Sequence, residues 1–263
     1  MRRIEPPGGA VYYQFELWAN ESALQHGIFT RLGGSSRAPF AALNVGSTVG
    51  DDPQQVRANL NQIYETLGVD GRRACTVWQV HSATCIAVEQ PSPTQGWLAQ
   101  ADGMVTNRRG VPLIMRFADC APILLYDPRQ RAIGIAHAGW RGTVRGIAQS
   151  LLRTMQALYG TQPADVQAAI GPSISAARYQ VGEEVVQAVA QAFGTTDGLI
   201  RRAEDGSAYF DLWEANRQAL LRAGVRQIEI SGICTATRTD EFYSHRAEGG
   251  KTGRFAAVFM LRE

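Results

Sequence analysis

The residues with the clearest chemical potential fall in Phe117–Thr143, FADCAPILLYDPRQRAIGIAHAGWRGT. Cys120 follows an acid, Asp119. The apolar run Pro122–Tyr126 reads as a strand, Asp127-Pro128-Arg129-Gln130 as a turn, and Ala132–Ala136 as a returning strand that ends in His137. In an antiparallel hairpin the start of the first strand and the end of the second lie side by side, so Cys120 and His137 are expected at one end of a sheet. A third residue, His81, closes another strand-like run, Thr76–Val80. One thiolate and two imidazoles are three of the donors that zinc takes, and three protein donors with one open position is the catalytic pattern. A Cys-His pair is also competent for acyl transfer, with Cys120 as nucleophile.

Other readings of the same residues stay open. His81, Cys120 and His137 are separated by long stretches with no compact zinc-finger spacing, so a buried cysteine and two ordinary strand-end histidines fit as well. Two His and one Cys are also a blue-copper ligand set. A trinuclear copper cluster needs many more histidines, and of the four in the chain only His26 and His245 remain; that arithmetic excludes multicopper chemistry and leaves a single copper as the alternative metal. A structural metal would need a fourth donor from Cys75, Cys85, Cys234, His26 or His245. Asp119 could orient a ligand histidine, carry a proton or merely cap a turn. For an anion there are three candidates: Arg31 in the Gly-rich loop Thr30–Gly34, Arg141 between two glycines at a helix start, and Arg246 in Tyr243-Ser244-His245-Arg246. Each could instead be a surface arginine. Trp140, Phe242 and Tyr243 could stack on a flat substrate or belong to the core, and His245 reads as a solvated loop residue. Gly33-Gly34 lacks the third glycine of a dinucleotide fingerprint.

These residues must be positioned by the elements around them. Strands are expected at Val11–Trp18, Gly27–Thr30, Thr76–Val80 with Thr84–Val88 as its partner, Ala101–Thr106, Val111–Phe117, the central hairpin, Val166–Ile170, Ile228–Ile230 and Phe255–Leu261. Arg31–Gly50 and Pro91–Gln100 read as loops, and Cys234–Gly253 as irregular. Asp52 caps a helix with Pro53 first and Gly68 as its stop. Further helices are expected at Thr143–Tyr159, at Glu183–Phe193 before Gly194, and after Asp211, with Glu214 completing a capping box and Gly224 as stop. Strands outnumber helices and connections are short. The expectation is therefore an α+β fold, one domain over residues 1–263, with mixed, largely antiparallel sheets and helices packed outside.

Composition narrows the function. With 263 residues, 45% hydrophobic and 19% charged, the chain can bury a large core. A net charge of +2 makes no electrostatic case for nucleic acid or a membrane surface, and no apolar run approaches the about 18 residues of a membrane span. The N-terminal MRRIEPPGGA has no apolar core of a signal peptide. Four cysteines in a chain this long do not read as a disulfide framework. A cytoplasmic protein with reduced thiols is expected.

In order along the chain, HGIFTRLGG (26–34), LNVGSTVGDD (43–52), QVHS (79–82), ADGMVT (101–106), ADCAPILLYD (118–127), AHAGWRGT (136–143), AIGPSI (169–174), FDLWEAN (210–216), SGICT (231–235) and FYSHR (242–246) resemble the laccase-domain family once called multicopper polyphenol oxidases. Its members are mostly described as purine nucleoside phosphorylases. By motif, the resemblance implies His81, Cys120 and His137 as metal ligands and catalytic residues, with zinc as the metal. It implies purine nucleosides and phosphate as substrates: phosphorolysis of adenosine, inosine and methylthioadenosine, with deamination of adenosine. Some bacterial members are described instead as peptidoglycan editing factors, which hydrolyse a wrongly made cell-wall precursor, and the same three residues could serve that reaction. Arg31, Arg141 and Arg246 are the candidates for phosphate.

Overall fold

The computed structural model describes residues 1–91 and 96–263. The part of the expected Pro91–Gln100 loop at 92–95 lies outside the described residues. Two large sheets face each other. The first has five strands in the order Arg2–Ile4, Tyr12–Gln14, Leu24–Phe29, Phe255–Leu261 and Leu113–Phe117, all antiparallel. The second has six, in the order Gln227–Ile230, Gln167–Ile170, Ala121–Asp127, Ala132–Ala138, Gly103–Thr106 and Cys85–Ala87, antiparallel except for its two edge pairs. Smaller sheets are formed by Gln180–Val181, Ala208–Phe210 and Ile200–Arg202, and by Thr76–Trp78 with Trp97–Gln100.

Strand alternation assigns each face. In Ala121–Asp127, Leu124 and Tyr126 enter the core between the sheets, with Phe117, Phe255 and Phe259. Ile123 and Leu125 point to the opposite face, where the helices Ile147–Tyr159, Glu183–Phe193 and Leu212–Arg222 pack. Gly134 lets the first of these approach closely: a Cβ there would lie 3.1 Å from Leu151 Cγ. The helix Pro53–Leu67 covers the outer face of the five-stranded sheet through Ile63 and Leu67, against Ile114, Ala256 and Val258. The result is the α+β architecture expected, with helices outside two large sheets, one wholly antiparallel and one mixed.

Several expected elements change shape for identifiable reasons. Val11–Trp18 shortens to Tyr12–Gln14, because Phe15 donates its N–H to His26 Nε2 and Glu229 accepts from Glu16 and Leu17 in a 3₁₀ turn. The Thr143–Tyr159 helix is two helices, Trp140–Val144 and Ile147–Tyr159, separated by Gly146 at φ 80°; its apolar stripe runs across the break. Thr76–Trp78 and Cys85–Ala87 do not pair with each other. The first pairs in parallel with Trp97–Gln100, within the expected loop, and the second with Gly103–Thr106. Between them the chain turns at His81, whose φ is 59°. Asp211 caps its helix through Glu214 N, but Glu214 binds Arg217 and Gln218 and does not return the bond.

Candidate functional site

The central hairpin does what its sequence suggests. His137 pairs with Pro122 and Ala138 with Ala121, which puts Cys120 beside the end of the returning strand. His81 reaches the same point from its left-handed turn. Cys120 Sγ and His81 Nε2 are 3.9 Å apart, and the rings of His81 and His137 have centroids 4.9 Å apart. The three donor atoms all lie within 4.8 Å of one another. A tetrahedral ion with bonds of about 2.0–2.3 Å spaces its donors about 3.5 Å apart, so small side-chain movements would close this set on one ion. Among the described residues no other group of three or more His, Cys, Asp or Glu donors is so gathered.

Two further observations fit a metal here. A Cβ on Gly139 would lie 2.8 Å from Cys120 Sγ and 3.1 Å from His81 Cδ2, so the space beside the donors exists because residue 139 has no side chain. The second is Asp102, fully buried. Its carboxylate accepts the backbone N–H groups of Val80, His81 and Ser82 and the Ser82 hydroxyl, and meets His137 Nδ1 at 2.9 Å. With Nδ1 committed to Asp102, His137 has Nε2 left for the other donors, the arrangement that usually stands behind metal-bound histidine. Burial would raise the Asp102 pKa, but hydrogen bonds from His137 and Ser82 hold it at about 2. Burial likewise pushes the Cys120 thiol up, and the attraction of His137 and His81 outweighs it and brings the thiol well below its usual range. His137 moves the opposite way: burial lowers it, while Cys120 and Asp102 raise it.

Asp119 does not take the orienting role considered for it. At φ 78° it turns away and accepts hydrogen bonds from Thr235, Ser244 and the Arg246 backbone, anchoring the irregular C-terminal segment near the site.

The donors open on a cavity of about 540 Å³. Arg141 and Arg246 line it, as does His245. Arg31 does not. Its guanidinium stacks on Tyr243, donates to the Ala41 and Thr239 carbonyls and pairs with Glu248 at 2.9 Å, so its charge is already compensated. Phe242 and Tyr243 are core residues, whereas Trp140 lines the cavity under the Arg141 guanidinium. Sequence reasoning missed Arg116 and Arg254, and the rim pair Trp78 and Trp97, whose rings meet at 4.2 Å while 43% and 44% exposed. An arginine inside an otherwise apolar strand, LIMRF, was the available signal for Arg116.

Two histidines and a cysteine gathered on one point, behind an arginine-lined cavity, define a candidate mononuclear metal site in a two-sheet α+β fold. The chain belongs to the family described as multi-copper polyphenol oxidoreductase laccase, whose model matches residues 25–262. It is 36% identical to a protein of Bacteroides thetaiotaomicron named purine nucleoside phosphorylase, over 95% of this chain and 96% of that one. It is 39% identical to one of the same name from Deinococcus radiodurans, covering 93% and 92%. The crystal structure of YlmD from Geobacillus stearothermophilus superposes with a TM-score of 0.92 at 34% identity, over 99% of both chains.

Proposed function

We propose that this protein, acting as one domain over residues 1–263, is a zinc-dependent purine nucleoside phosphorylase of the cytoplasm that takes adenosine, inosine and methylthioadenosine and also deaminates adenosine. The observation that carries the reading is the joining of a His81–Cys120–His137 donor set to a cavity whose arginines, among the described residues, face no carboxylate at ion-pair distance. The names of the relatives support purine nucleosides and phosphate as the substrate class. Zinc, when bound by these three side chains, supplies a Lewis acid that activates water, the chemistry that deamination at C6 requires. Zinc is preferred over copper because one mixed thiolate–imidazole set with an open position suits it, and among the described residues the histidines needed for a copper cluster are not gathered.

Phosphorolysis makes its own demands on the chain. A phosphate oxygen bonds to C1′ of the ribose as the C1′–N9 bond breaks, and the purine leaves with the electron pair and gains a proton. The guanidinium groups hold the phosphate dianion in place and offset its desolvation. Trp78 and Trp97 offer flat apolar faces at the rim for the base. Asp102 fixes the His137 ring and the His81 backbone, so the donor set does not rearrange when substrate enters.

Liquid chromatography of incubations with inosine and adenosine, with and without phosphate, tests the reading. Free base and ribose 1-phosphate are expected only with phosphate and intact Cys120, and inosine from adenosine with or without phosphate, again only with intact Cys120. No turnover of either nucleoside by zinc-loaded protein would sink the reading and move the assignment to hydrolysis of a cell-wall precursor at the same residues.

A further inference from the structure

The cavity arginines fall into two pairs with different surroundings. Arg141 and Arg246 are exposed at the mouth, each lying over an aromatic ring, Trp140 and Tyr179. Arg116 and Arg254 are partly buried; Arg116 lies in the five-stranded sheet, and Arg254 immediately precedes its strand Phe255–Leu261. Arg116 pairs with Ala256 in register, so Arg254, two residues earlier on the neighbouring chain segment, is its diagonal neighbour on the same face.

Backbone and hydroxyl oxygens fix this second pair. Arg116 Nε donates to the Val45 carbonyl and Nη1 to Thr76 Oγ1, both at 2.8 Å. Gln79 clamps the Arg116 main chain from both sides. Arg254 Nη1 donates to the Thr252 and Gly253 carbonyls, and its own carbonyl accepts from Val45 N. Gly46 lies against the Arg254 stem, where a Cβ would come within 2.8 Å of Cγ, and the next two residues, Ser47 and Thr48, line the cavity. Among the described residues no carboxylate comes within ion-pair distance of either guanidinium, and Arg116 Nη2 and Arg254 Nε and Nη2 donate to no protein acceptor.

Two like charges held side by side, partly desolvated and without a counter-charge, oppose folding unless an anion completes them. Burial lowers the pKa of both from the ordinary guanidinium value, and for Arg254 the negative charges of Cys120 and Asp119 work against it. Preorganised forks with free N–H groups suit a tetrahedral oxyanion better than the exposed guanidiniums at the mouth, of which Arg246 already donates to the Gln180 carbonyl.

We infer that Arg116 and Arg254, with the Ser47 and Thr48 hydroxyls, form the inorganic phosphate subsite of this cavity, next to the metal donors, and that Arg141 is not its main anchor. This rests on the phosphorylase reading for its role in turnover, though not for the binding itself.

The test is calorimetric titration of the full-length zinc-loaded protein with inorganic phosphate, beside KM for phosphate and for inosine. Arg116→Gln and Arg254→Gln are each expected to weaken phosphate binding about tenfold or more, with the KM for inosine within about twofold of wild type. Arg141→Gln is expected to leave phosphate binding within about twofold. If Arg116→Gln does not fold, Arg254→Gln and the charge-keeping Arg116→Lys decide, the latter losing the fork yet retaining the charge. Unchanged phosphate affinity in folded Arg254→Gln, or an equal loss in Arg141→Gln, overturns the assignment. Phosphate binding that the variants weaken, in a protein that turns over no nucleoside, would uphold the subsite and refute the phosphorylase reading.

Discussion

His137 Nδ1 lies 2.9 Å from Asp102 Oδ1, and the Asp102 backbone carbonyl accepts the His137 N–H at 2.8 Å. The same carboxylate gathers three consecutive N–H groups around His81. One buried acid therefore orients one imidazole by its ring and the other by its backbone.

Asp102→Asn keeps the volume and removes the charge. Its amide turns an N–H toward groups that are themselves donors. The expected outcome is a 10–100-fold loss of zinc affinity, roughly the cost of losing a partner behind a ligand histidine, together with a lowered melting temperature. Competition with a chromophoric chelator measures the first and thermal unfolding the second. Wild-type zinc affinity in a folded Asp102→Asn protein would refute the orienting role.

Gly139→Ala separates metal binding from folding. Residue 139 has φ −78° and ψ 176°, which alanine adopts freely, so the backbone is unstrained and the conflict is local to Cys120 Sγ and His81 Cδ2. Zinc affinity should fall about tenfold or more while the metal-free protein unfolds within about 1 kcal/mol of wild type. Equal zinc affinity would show that the donors do not close on this space.

Trp97→Ala and Trp78→Ala address the rim. Both side chains are over two-fifths exposed, so the cost in stability should be small. A stacked base is worth about 1–3 kcal/mol, and the KM for inosine should rise about tenfold with the KM for phosphate unchanged. Steady-state kinetics at varied nucleoside and varied phosphate distinguish this from a general loss of activity.

His26 gives the fold its own pH signature, away from the metal donors. It is 3% exposed, and its Nε2 accepts the Phe15 N–H at 2.9 Å. Burial pushes its pKa down to about 4. The folded chain holds the neutral ring, whereas the unfolded chain takes up a proton below about pH 6.5. The stabilisation is complete above that pH and is lost as the pH falls towards 4, by about 2 kcal/mol between pH 7.5 and 5. His26→Gln removes this titration and leaves the other histidines, so urea unfolding at the two pH values should show a smaller drop in the variant. A drop as large as that of wild type would contradict it.

What the sequence disclosed depended on how far apart the cooperating residues lie. Helix ends were legible because cap and stop are local: Asp52 with Pro53, Gly68, and Gly194 all act as their chemistry suggests. The Cys120–His137 hairpin was legible for the same reason, as one short turn sets its register. Sheet pairing was not, since Cys85–Ala87 finds its partner across Asp102 and not across the nearer turn. Arg31 looked free beside its glycines because its partner, Glu248, is 217 residues away. Asp102 stands in ADGMVT (101–106), but its role arises only when His81 and His137 converge on it. Arg254 precedes a plain apolar strand, and only pairing with the strand of Arg116 makes it part of a cavity.

Under the proposed function, the His81–Cys120–His137 set holds the zinc on which the chain's activity on purine nucleosides depends. The most direct test is one titration: protein stripped with chelator is reloaded with increasing zinc, while bound metal and the products of adenosine with phosphate are quantified in the same samples. Both activities are expected to return in proportion to zinc and to saturate at about one ion per chain, with no return in Cys120→Ala. Full activity in metal-stripped protein, or restoration of Cys120→Ala by zinc, would contradict it.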